Sequence, residues 1–181
     1  MKNIRLGLLI AAAISAAAVV SVARAGGDHN MPPYEGSKEF QTIKKLQGHW
    51  EGTSSGMAAD KSPQKMTVDY KVTSNGSAVV ETLFPGTPHE MVSVYTDENG
   101  KLAMTHYCSM ANQPHMALQS ASGNEISLAV APTNGNVDPA TAHMHALTLQ
   151  MPKPDQLVQK WTSWEGGKEK DTSTFTFTRK S

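Results

Sequence analysis

Met66-Thr67-Val68-Asp69-Tyr70-Lys71-Val72 and Thr172-Ser173-Thr174-Phe175-Thr176-Phe177-Thr178 set the reading of this chain. Apolar or aromatic residues alternate with polar ones, and β-branched residues dominate. Period two with Val, Thr and Tyr describes a strand with one buried face. The same character recurs outward from these two stretches. It predicts strands near 49–55, 65–73, 77–84, 90–96, 101–108, 115–120, 124–130, 142–150, 156–164 and 172–179. Explicit turn residues separate them: Asn75-Gly76, Glu98-Asn99-Gly100, Ser122-Gly123-Asn124, Asn134-Gly135-Asn136 and Glu165-Gly166-Gly167. Eight to ten strands so spaced form a barrel or sandwich. Closure removes sheet edges, so an all-β, antiparallel up-and-down barrel is the expected fold. One helix precedes it: Ser37 caps a segment reaching Gln47, with Phe40, Ile43 and Leu46 on one stripe.

The first 25 of the 181 residues read differently. Lys2 and Arg5 precede a mostly apolar run, Leu6 to Val22, that ends in Ala23-Arg24-Ala25. This is the pattern of a cleaved export signal. Residues 26–36 are polar with two prolines and read as a flexible leader; residues 37–181 form the domain. Without the first 25 residues, 13 basic residues remain against all 16 acidic ones. A slightly acidic chain argues against a nucleic-acid surface. No second long apolar run follows, so no membrane association is expected after signal removal. The expected location is a bacterial periplasm or the cell exterior. One cysteine, Cys108, allows no internal disulfide. Stability must come from an ordinary core, which about 150 residues can build.

Gly48-His49-Trp50 opens the first strand, and Phe175-x-Phe177-x-Arg179 ends the last. This pairing resembles the lipocalin and calycin superfamily. The resemblance implies that Trp50 closes one end of the barrel and that Arg179 lies across it, a guanidinium stacked on an indole. A second likeness spans Asn75 to Met116, with Asn75-Gly76-Ser77, Glu81-Thr82, Pro85-Gly86-Thr87, His89-Glu90-Met91, Thr105-His106-Tyr107-Cys108 and Asn112-Gln113-Pro114. These pieces are similar to uncharacterised secreted bacterial proteins with a lipocalin-like fold. Ten strands then favour a barrel of the fatty-acid-binding or nitrobindin kind over the eight-stranded lipocalin.

Strand alternation places candidate side chains on shared faces. Leu102, Met104, His106 and Cys108 share one, and His143, His145, Leu147 and Leu149 another. The apolar members point both faces inward. The expected ligand-binding residues are Met91, Tyr95, Met104, His106, Cys108, His115, Met116, His143 and His145. The partner they imply is a small apolar or amphipathic molecule. An alternative gathers His106, Cys108, His143 and His145 around zinc, copper or a haem iron. No motif names a cofactor. A catalytic alternative uses a cavity acid–base pair, Glu90 with a histidine, or Cys108 as nucleophile. Nothing in the sequence sets the oligomeric state.

Overall fold

The computed structural model describes residues 31–55 and 62–180. The expected signal segment and the start of the leader lie outside them. The compact unit Pro32–Ser181 begins with an irregular stretch and a single α-helix, α1 (Lys38–Lys44). Ser37 caps α1 by accepting the backbone N–H of Phe40 at 3.2 Å. Phe40 and Ile43 are fully buried. Ten strands follow. They are β1 (Gly48–Ser55), β2 (Gln64–Thr73), β3 (Ala78–Leu83), β4 (Met91–Glu98) and β5 (Lys101–Tyr107). The second half holds β6 (His115–Ser122), β7 (Glu125–Val130), β8 (His143–Lys153), β9 (Gln156–Glu165) and β10 (Lys168–Lys180).

Every strand pairs antiparallel with its neighbours in sequence, and β1 also pairs with β10, which closes the barrel. This is the all-β up-and-down barrel that the alternation predicts, with ten strands. The seam between β1 and β10 is tight. At Gly52, opposite Phe177, a Cβ would overlap the carbonyl of Thr176. Only glycine permits that approach.

One end of the barrel is closed by α1 and by Trp50, which is 1% exposed. The indole N–H of Trp50 donates to the Leu46 carbonyl at 2.8 Å. The Arg179 guanidinium carbon sits 4.1 Å from the Trp50 ring centroid. Its N–H groups donate to the carbonyls of Lys45 at 2.6 Å and of Gln47. The cation therefore ties the last strand to the segment joining α1 and β1. The interior is largely packed with side chains, among them Leu102, Met104, Met116, Leu128 and Leu147.

Strand β8 departs from regular alternation. Its pairing with β9 shifts between Met144 and Ala146, so His145 is an extra residue in a bulge. An extra residue reverses the faces on one side of the bulge. Leu147 and Leu149 point inward as expected. Met144 also points inward, opposite Ser163, and His143 is carried to the outer face, opposite Trp164. The inward placement expected for His143 and His145 is thus corrected. His143 is nevertheless buried, because His145 and the loop before β8 cover it.

Candidate functional site

The site is built from one row of residues across four adjacent strands. The register pairs Tyr70 of β2 with Glu81 of β3, Glu81 with Ser93 of β4, and Ser93 with His106 of β5. Directly paired residues share a face, and all four are buried in the barrel interior. Tyr70 Oη donates to Glu81 Oε1 at 2.9 Å, and Tyr95 Oη donates to Glu81 Oε2 at 2.8 Å. From β9, Gln159 Nε2 donates to Glu81 Oε1 at 2.5 Å and to Tyr70 Oη at 2.6 Å. The Gln159 amide is oriented by Trp161, whose indole N–H donates to Gln159 Oε1 at 2.9 Å. Ser93 faces Glu81 across the pairing of β3 with β4.

Three donors converging on two oxygens are the environment of a carboxylate, which only accepts. Burial pushes the Glu81 pKa up, and the polar groups of Tyr95, Gln159, Tyr70 and Ser93 pull against that shift. Both tyrosine hydroxyls are held well above their ordinary pKa, first by burial and then by the Glu81 charge. They remain donors at all physiological pH values.

Ser93 Oγ lies 3.0 Å from His106 Nδ1. The other ring nitrogen, Nε2, is buried and has no hydrogen-bond partner. Burial lowers the His106 pKa from 6.5 to about 4, so the ring is neutral at pH 7. The Trp161 ring lies beside it, with centroids 4.5 Å apart.

His106 lines an interior void of about 50 Å³ at the end of the barrel away from Trp50. Leu83, Met91, Met144, Trp161, Ser173 and Phe175 complete the wall. Room of this size holds a water or two and falls well short of the roughly 300 Å³ at which drug-sized pockets begin. A porphyrin does not fit it. A larger recess, about 520 Å³, runs along the outside of the closed end past Lys45, Trp50, Met151 and Pro154. The Arg179 donors there are already engaged with backbone carbonyls. Of these two, the small interior void is the better candidate site because it faces an unpartnered buried polar atom.

The sequence-derived candidates divide between several places. Met91 and His106 line the void. Tyr95 stands on the Glu81 carboxylate, and Met104 and Met116 are packed fully in the interior beside one another. Cys108 lies just past the end of β5, its sulfur 3.9 Å from that of Met91. His115 pairs with Thr105 on the outer face, where it contacts Thr105 Oγ1 at 3.0 Å and Glu98 at 3.3 Å. His143 and His145 bond to each other at 3.1 Å outside the barrel, and His145 stacks on Trp164 at 3.7 Å. His106, Cys108, His143 and His145 therefore do not gather into one centre. No cluster of three or more metal-ligating side chains occurs among the described residues. Glu90 is exposed and accepts the backbone N–H of Gly86 at 2.7 Å, away from any cavity histidine.

Glu81 and Ser93 are the residues that sequence reasoning missed. A signal existed for Glu81. It falls between Val79 and Leu83 on the apolar face of its strand, where a charge needs partners.

A closed ten-stranded antiparallel barrel with one capping helix fits a calycin-like barrel. No family model and no curated protein matches the sequence. Among solved structures, Rv2717c from M. tuberculosis matches with a TM-score of 0.55 at 14% identity, over 81% of this chain and 100% of that one. A DUF3598-family protein of unknown function from Nostoc punctiforme matches with a TM-score of 0.50 at 13% identity, over 83% of this chain and 51% of that one. Likeness at such identity establishes the shared fold alone.

Proposed function

We propose that this chain binds a small amphipathic molecule inside the barrel, at the end away from Trp50. The observation that carries this reading is the unpartnered Nε2 of His106, buried in the wall of a largely apolar void. A buried polar nitrogen without a partner costs about 1–3 kcal/mol. A ligand that forms a hydrogen bond with it recovers that cost and places its apolar part against Met91, Met144 and Phe175. The two methionines are unbranched and polarisable, so they can yield to ligands larger than the void. The sequence of residues 1–25 supports an exported protein, acting in a periplasm or outside the cell.

Native mass spectrometry of the chain recovered from its producing cells tests the reading. The expected result is an additional organic mass, one per chain, that is missing from His106→Leu. A bare polypeptide mass in both would overturn it.

A further inference from the structure

The recess outside the closed end of the barrel has a chemistry of its own. It runs between α1, the β6–β7 turn at Gly123 and Asn124, and the end of β8 with Pro154. Its volume, about 520 Å³, lies within the roughly 300–1,000 Å³ of small-molecule pockets. Leu46, Trp50, Met151, Pro152 and Pro154 give it an apolar floor. The charged residues of its wall are Lys45, Lys153 and Arg179, and no Asp or Glu joins them among the described residues. Lys45 and Lys153 are exposed, and neither ammonium has an ion pair or hydrogen bond among the described residues. Arg179 has five N–H groups. Three donate to the carbonyls of Lys45, Gln47 and Pro154, which leaves two. Two carboxylates are close in the chain, and neither belongs to the wall. Glu125 accepts from Gln150 Nε2 at 2.7 Å, and Asp155 is exposed beyond Pro154. A recess of similar size on the barrel flank, about 530 Å³, has mixed charge: Glu51 is in its wall and pairs with Lys180 at 3.4 Å. A concave wall of one sign over an apolar floor concentrates potential on one class of ligand.

We infer that the closed-end recess is a second binding site, for a dissolved single-chain amphiphile with an anionic head such as a carboxylate. The head meets the ammonium groups of Lys45 and Lys153 and the charge of Arg179. The tail lies on Leu46, Trp50 and Met151, and the lysine stems add apolar cover. An ammonium head would face three like charges. A neutral head gains the floor alone. An anionic membrane is a poorer fit. Basic clusters that hold such membranes carry about 4–8 cations. This recess has three, in a chain whose residues 26–181 carry 13 basic residues against 16 acidic ones. The interior pocket lies at the other end of the barrel, and neither site needs the other.

The test is a matched titration of the full chain with octanoate, 1-octanol and octylamine at pH 7, following the indole N–H resonances by NMR. Trp50 reports on the closed-end recess and Trp161 on the interior void. Octanoate is expected to shift Trp50 saturably and to bind at least about tenfold more tightly than octylamine, a gap that narrows as salt screens the charges. Lys45→Gln combined with Lys153→Gln, two exposed changes that leave the core intact, should bring octanoate down to the affinity of 1-octanol. Lys45→Arg with Lys153→Arg should restore the preference. Equal affinity for octanoate and octylamine, or a double glutamine variant that binds octanoate as the wild type does, would overturn the inference. So would octanoate shifts confined to Trp161, which would leave the interior pocket standing. Sedimentation with anionic phospholipid vesicles by a chain that does not bind octanoate would overturn it in favour of a membrane.

Discussion

Ser93 Oγ stands 3.0 Å from Nδ1 of His106, and this contact makes the two ring nitrogens chemically unlike. Nδ1 is occupied by the Ser93 hydroxyl. Nε2 has no partner. A histidine held at one nitrogen presents the other in a fixed orientation. The consequences reach stability, reactivity and binding.

Stability should depend on pH through His106. Its pKa is about 4 in the fold against 6.5 ordinarily. Between those values the unfolded chain holds more protons, so stability rises with pH. The contribution is complete above pH 6.5 and is lost as pH falls toward 4. A shift of this size corresponds to roughly 3 kcal/mol. Glu81 acts in the opposite sense. Its raised pKa lets the folded chain keep a proton longer, so its contribution falls as pH climbs through the folded value. Urea denaturation between pH 4 and pH 7 should show a rise in wild type that flattens in His106→Phe. An unchanged slope in that variant would remove His106 as the cause.

Arg179→Ala should destabilise the fold by about 3 kcal/mol. It removes a cation stacked on Trp50 together with its hydrogen bonds to the Lys45, Gln47 and Pro154 carbonyls. Arg179→Lys should recover part of the loss, since an ammonium keeps the charge without the planar fork. Thermal melts of the two variants measure the difference.

Gly52→Ala should be among the most damaging single changes, at about 3 kcal/mol or more. Its added methyl meets the Thr176 carbonyl across the closing seam, where backbone cannot move aside without opening the β1–β10 pairing. Expression and circular dichroism would report it. A variant as stable as wild type would show that the seam is looser than its geometry.

Cys108 should resist modification in the folded chain. Burial raises its thiol pKa, and its sulfur packs on Met91. A thiol reagent at pH 7.5 is expected to label it only at the rate of unfolding. Rapid labelling of the native chain would mean that the barrel end beside Met91 opens readily.

Much of this architecture is legible in the sequence, and the parts that are not share a cause. Strands and turns follow from period two and from residues such as Asn75-Gly76 and Asn99-Gly100, because those signals are local. The Ser37 cap is local too. Faces are less secure. Counting alternate residues sends His143 and His145 inward with Leu147, but a bulge at His145 reverses the order, and its cause lies in the pairing with β9. His115 and Met116 are both expected among the ligand-binding residues, yet adjacent residues on a strand face opposite sides, and Met116 holds the inner one. Glu81 enters the sequence reading only through a likeness. Its partners Tyr70, Tyr95 and Gln159 lie on β2, β4 and β9, and only closure of the barrel brings them together. How far side chains fill the interior likewise depends on packing among all ten strands.

Nitrogen NMR of the His106 ring at pH 7, in the chain without added ligand, tests the central relationship most directly. The expected spectrum is that of a neutral ring, with one nitrogen protonated and the other bare. Ser93→Ala should move the Nδ1 resonance, whose partner it removes, more than that of Nε2. A doubly protonated ring at pH 7 would contradict the neutral, half-partnered histidine on which the binding site depends.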